Sequence, residues 1–349
     1  MITWPESQVL SIRKVRFTKR TSGSLRRETR IKRAGENLTQ GYLLKAGFFS
    51  GIHKGWDGFL WMMKILLPIS LFTATLEWSG WIRHLDFLVQ PVMKLLSLPP
   101  MAALPLLIGA LSGVYGAIAA MAVLPFTLEQ MTLMAIFILI CHNVIQESVV
   151  QGKSGIHPLQ ATLFRLIPAI ITVILAAQFL DASVGSSKAA EALAMPEEAF
   201  LQMLRNWGTT MLYLALKIFV IMMSLLTTME ILKALGWIEK IVKLLVPLFR
   251  VFGLSAKAGI IWITALIFGL AYGAAVIVEE AEKGHLSREE LERLHLSIGI
   301  NHAIIEDPSL FLALGLGAFW LWAPRLIMAI LAVHLLRLWQ STRKVRSDE

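Results

Sequence analysis

The sequence predicts an all-α integral membrane protein of about ten helical segments, arranged as two inverted-topology repeats of five, with broken helices at the repeat interface. Three observations carry that expectation. The 349 residues are 56% apolar and only 16% charged, with mean hydropathy +0.64, whereas soluble domains hold about 25% charged residues. Two apolar blocks repeat one ordered series of segments. Basic residues gather at the two ends of the chain rather than in its middle. Disordered and ordinary soluble classes are excluded.

The chain opens on a basic arm, residues 1–54, whose twelve Lys/Arg against three acidic residues account for the whole net charge of +9. Such an arm can bind nucleic acid. Directly before an apolar span, however, it reads as a cytoplasmic segment resting on anionic lipid headgroups, so no nucleic-acid partner is expected. The apolar run begins near Trp56, too late for the apolar core of a signal peptide, and no cleavage is expected. Cys141 is the one cysteine, which excludes intrachain disulfides and thiolate clusters.

The first repeat, residues 55–180, divides into segments near 57–77, 81–97, 101–122, 128–149 and 158–180. An external linker, residues 181–206, is polar and rich in small residues, with a short helix started at Pro196 and Glu197. The second repeat, residues 207–339, offers segments near 208–229, 237–252, 258–279, 288–311 and 317–339, and a cytoplasmic tail follows at 340–349. LWMMKILLPISLFTATLEW (60–78) matches LALKIFVIMMSLLTTMEIL (214–232), where Lys64 and Lys217, inside apolar stretches, either snorkel or neutralise Glu77 and Glu230. Further matches align Pro91 with Pro247, His142 with His302, Gln146 with Glu306, Glu147 with Asp307, and Pro168 with Pro324. Thr127 with Gln130, and Ser287 with Glu290, are capping boxes opening the fourth segment of each copy. The second segments are short and charged, and cross at a slant or lie in the interface. With arm and tail basic and the linker acidic, both termini are expected in the cytoplasm, which requires an odd number of crossings per block and therefore inverted copies.

The chemistry concentrates in CHNVIQES (141–148) and NHAIIEDP (301–308), where apolar segments turn polar. Ionisable groups inside a bilayer are costly, so they pair, face a cavity or work. His142, Asn143, Gln146 and Glu147 with Asn301, His302, Glu306 and Asp307 are therefore the candidate substrate- or ion-binding residues. The plainer alternative places them at the interface, solvated. Ser148 and Pro308, at matched positions, argue for broken helices whose freed backbone groups hold ions or solute. His142, Glu147, His302 and Asp307 also form a nitrogen and oxygen set suited to a borderline divalent cation, and proton coupling through the carboxylates fits equally. Gly109 with Gly113, and Gly269 with Gly273, are small-x₃-small patterns. With Tyr115, Gly116 and Tyr272 they read first as packing positions and second as cavity lining.

Signatures of P-loop, nucleophile-elbow, zinc-protease and dinucleotide enzymes are missing, so no enzyme activity and no catalytic residue are expected. The segments GWDGFLWMMKILLPISLF, LSLPPMAALPLLIGALSGVYGAIAAMA and CHNVIQES resemble the nucleoside-recognition or Gate domain shared by concentrative nucleoside carriers, B-type ferrous iron permeases and spore maturation membrane proteins. The resemblance covers residues 56–180 and, more weakly, 207–339, without the GTPase domain of the iron permeases. It implies a multi-pass protein of a bacterial or archaeal inner membrane. Three functions stay open: a secondary transporter of a small polar solute or ion, a divalent metal ion permease, and a non-transporting subunit that docks a partner. The expected partners are the lipid bilayer, the solute or ion, and a second copy or another membrane protein. No cofactor is expected beyond a coupling cation or proton.

Overall fold

The structure is a computed structural model that describes residues 22–82, 86–180, 199–245, 248–255 and 286–348, with isolated positions between 258 and 277. Among these residues every regular element is helical. Among the described residues five stretches are long and apolar enough to cross a membrane, one of them the run 128–153, and a sixth span arises if the bent pair 87–95 and 100–112 counts as one.

Helix α1 (Ser22–Trp78) is 57 residues long and begins well before the expected first segment near 57–77, which forms its C-terminal part. The second half of the basic arm is thus helical, as its Arg, Lys and Glu content favours. Residues 200–206 of the expected linker are helical. Helix α2 (Asp86–Leu95) has ten residues, about 15 Å, which cannot cross the roughly 30 Å hydrocarbon layer. The expected third segment is two helices, α3 (Ala103–Ser112) and α4 (Val114–Met121), broken at Gly113. The fourth is also two, α5 (Leu128–Ile140) and α6 (Val144–Lys153), followed by α7 (Pro158–Ala177). After the linker come α8 (Phe200–Ala234), α9 (Trp237–Leu245), α10 (Leu248–Val251), α11 (Arg288–Asn301), α12 (Glu306–Phe311) and α13 (Ala318–Asp348). The helix α13 runs on through most of the tail. Pro196, Glu197, Gly269, Tyr272 and Gly273 lie outside the described residues.

Helices α1 and α8 run antiparallel. Trp78 meets Phe200 at one end, with ring centroids 5.1 Å apart, and Lys54 pairs with Glu230 at the other, 2.8 Å. Between them Gly47, Gly51 and Gly55 lie against Ile231, Thr227 and Met223, leaving no room for a Cβ. Glu230 is held by Lys54, Lys233 and Ser50, not by Lys217 as the sequence match suggests.

The core is formed around α5 and α11. Every residue from Thr132 to Ile140 and from Leu294 to His302 is buried, apolar after Thr132 on α5 but interrupted on α11 by His295, Ser297, Asn301 and His302. Both predicted capping boxes are present, Thr127 with Gln130 and Ser287 with Glu290. Helix α7 packs on α5, α6 and α11, while α13 packs on α11 and α5. This arrangement brings the ends of α5 and α11 together in the interior.

Candidate functional site

The α5–α6 span breaks at Cys141–Asn143, five residues earlier than Ser148. Neither Gly nor Pro causes it. Asn143 takes a left-handed conformation (φ 46°), and its N–H donates to the Gly109 carbonyl at the end of α3, 3.2 Å. The Gly113 break interlocks with this one: at φ 88° and ψ −175° it adopts a geometry nearly restricted to glycine, and a Cβ there would lie 2.8 Å from the Asn143 amide nitrogen. The second break falls at His302–Ile305, with Ala303 at φ 44°. Pro308 sits within the first turn of α12, where the missing N–H costs nothing because first-turn donors have no intrahelical partner.

Each break leaves carbonyls of the preceding helix exposed to a low-dielectric interior, and each is answered by the same pair of side chains. His142 Nδ1–H donates to the Ile138 carbonyl (2.8 Å), and His302 Nδ1–H donates to the Ile298 carbonyl (3.1 Å). Arg165 Nε donates to Ile140 O (3.0 Å), and Arg325 Nε to Ile300 O (3.3 Å), with Arg325 Nη2 on His302 O at 2.9 Å. Cations at helix C-termini also complement the negative end of the dipole. Neither arginine is among the residues the sequence marks as site candidates. The available signal was one Arg inside an apolar run of each block, RLIPAIITVIL and RLIMAILAVHL, a register four residues away from the Pro168–Pro324 match.

A carbonyl can only accept, so the Nδ1 contacts put the ring proton on Nδ1 and leave Nε2 of each neutral imidazole as a lone pair. These lone pairs face each other 3.2 Å apart, between residues 160 positions apart in the chain. Glu147 Oε1 lies 3.2 Å from His142 Nε2, Glu147 Oε2 lies 3.2 Å from His302 Nε2, and Asp307 Oδ2 lies 3.5 Å from His142 Nε2. Arg165 Nη1 holds Glu147 Oε2 at 2.7 Å, close but not aligned as a hydrogen bond. All four groups are buried, and His142, Glu147 and His302 are grouped closely enough to hold one metal ion. Arg165 offsets the Glu147 charge, whereas the two facing imidazole lone pairs repel unless a proton or cation lies between them.

The remaining candidates separate. Glu306 leaves the centre and accepts from Tyr115 Oη, 3.0 Å, which ties α4 to α12. Asn143 braces Gly113 and Gly109. Gly109 lies against Ala117 and Ile138, and Gly116 against Ser112 and Ile108, so both are packing positions. Gln146 is exposed. Asn301 is buried, and its amide makes no hydrogen bond to the described residues.

No family model matches the chain, and no solved structure matches it. The chain is similar to the uncharacterized membrane protein YvoD of Bacillus subtilis (strain 168), 27% identical over 298 residues that cover 82% of this chain and 93% of that protein. With its apolar helices, that similarity makes this chain a multi-pass membrane protein.

Proposed function

We propose that the protein is an inner-membrane secondary carrier, not an enzyme, whose substrate is a divalent transition-metal ion bound between two inverted halves at His142, His302, Glu147 and Asp307. One observation carries the reading. Donors of a tetrahedral site with bonds of about 2.0–2.1 Å lie about 3.3 Å from one another, and the two imidazole Nε2 atoms lie 3.2 Å apart, each also 3.2 Å from one Glu147 oxygen, Oε1 for His142 and Oε2 for His302. Imidazole and carboxylate together suit Zn²⁺, Fe²⁺, Co²⁺ or Mn²⁺. The Nδ1–H bonds to backbone carbonyls are the outer contacts that orient such ligands.

The inverted-halves part rests on the paired hydrogen bonds, His142 and Arg165 recurring as His302 and Arg325 at one offset, and on the antiparallel α1 and α8. It agrees with the resemblance to the Gate domain. A second reading has its own support, because 3.2 Å between two imidazole nitrogens is also the distance of one shared proton, as a proton-coupled carrier of a polar solute requires.

Titration of the purified protein with Co²⁺, followed by its visible absorption, tests the proposal. One ion per chain is expected. His142→Ala combined with His302→Ala should abolish binding, and Glu147→Gln should weaken it by at least about tenfold. Absence of binding by the wild type, with uptake of a polar solute driven by a proton gradient in proteoliposomes, would replace the metal reading with the second one.

A further inference from the structure

The centre is matched on its two sides, but what lies beyond it is not. At the offset that relates His142 to His302, Gln151 corresponds to Phe311, His295 to Ala135, and Gly299 to Leu139. All of them are interior positions, and Gln151, His295, Phe311, Ala135 and Leu139 are each 0% exposed. One side of the centre is therefore polar and the other apolar, although the flanking arginines are the same.

The polar side is continuous. Gln151 stands one turn beyond Glu147 on α6. A Cβ on Gly299 of α11 would lie 3.1 Å from Arg165 Cγ and 3.6 Å from Gln151 Nε2, so both side chains run over bare backbone there. His295, one turn further along α11, places Nε2 3.1 Å from the Ser154 carbonyl beyond the end of α6. Both amide atoms of Gln151, Nδ1 of His295 and Nη2 of Arg165 are buried without a hydrogen-bond partner among the described residues. A dry seam with that many unmet donors and acceptors is unfavourable, and water meets them where polar groups and room coincide. The seam runs toward the end of α11 where Gln340 of α13 donates to Glu289 O (3.3 Å) and Glu292 Oε2 (3.0 Å), the end of the molecule that carries the C-terminal residues.

We infer that the α6–α7–α11 seam, lined by Gln151, Arg165, His295 and Ser154, is a hydrated path joining the centre to the membrane face that bears the C-terminal end, while Phe311, Ala135 and Leu139 shut the matching seam on the opposite side. The cargo assigned to the path, a metal ion, rests on the proposed cation site. The polarity of the seam does not depend on that assignment.

Reaction of single cysteines with a small hydrophilic methanethiosulfonate, in a Cys141→Ser background, tests the path. Gln151→Cys and the nearly isosteric Ser154→Cys should react at least about tenfold faster than Ala135→Cys and Phe311→Cys, because thiolate forms only where water reaches. Equal rates on the two sides, or faster reaction at Ala135→Cys, overturn the one-sided path. A second measurement uses stopped-flow Co²⁺ binding to the full-length protein. His295→Leu and Gln151→Leu should slow association and dissociation together by about tenfold and leave the dissociation constant within about twofold, since they narrow the route and not the site. Unchanged rates, or weakened affinity at an unchanged association rate, also overturn it. If the wild type binds no Co²⁺, the cation-site reading fails alone, and the labelling contrast still decides the path.

Discussion

Arg325→Lys isolates what the two buried arginines contribute. The Arg325 guanidinium donates through Nε to Ile300 O and through Nη2 to His302 O, so one planar group closes both the end of α11 and the start of the break. Lysine keeps the charge but brings a single nitrogen, which reaches one of the two carbonyls. Hydrogen bonds involving a charged partner contribute about 1.5–3 kcal/mol each, so the variant should lose about that amount through the carbonyl left unmet. The break also fixes the His302 ring, and loss of such an outer contact weakens metal affinity by about tenfold or more. Thermal unfolding in detergent and Co²⁺ titration read the two effects. Arg337→Lys, exposed on the same helix, is the control, with a change within about 0.5 kcal/mol. Should Arg325→Lys unfold and bind metal like the wild type, or should Arg337→Lys cost as much, the arginines do not organise the breaks.

Three other outcomes are expected. Gly113→Ala should cost about 1–3 kcal/mol from backbone strain alone, plus the clash of its Cβ at 2.8 Å from the Asn143 amide; unfolding that matches the wild type would separate the two breaks. Thr127→Ala and Ser287→Ala should each lower stability by about 1 kcal/mol by removing a capping hydroxyl, and the double variant should show the sum, since the two caps share no partner. In the Cys141→Ser background, an impermeant thiol reagent applied to intact cells should label Ser187→Cys and spare Val345→Cys, as basic ends and an acidic linker require; the opposite pattern reverses the orientation.

Composition and periodicity by themselves determined the membrane class, the helical content, the capping boxes and the pairing of His142 with His302, because each depends on residues adjacent in sequence or on a repeated local pattern. The boundaries read from hydropathy were less faithful. Helix α1 extends far before Trp56, since helix propensity and a glycine face packed on α8 continue where the apolar average has already fallen. Only the tertiary structure decided where the spans break: Asn143 tolerates the left-handed conformation but does not by itself end a helix, and its docking on the end of α3 fixes the break there. It also decided which polar residues converge, sending Gln146 outward and Glu306 to Tyr115 while drawing Arg165 and Arg325 inward. A buried carbonyl must find a donor wherever the chain can supply one, and that donor, 25 residues away along the sequence, leaves no local trace of its destination.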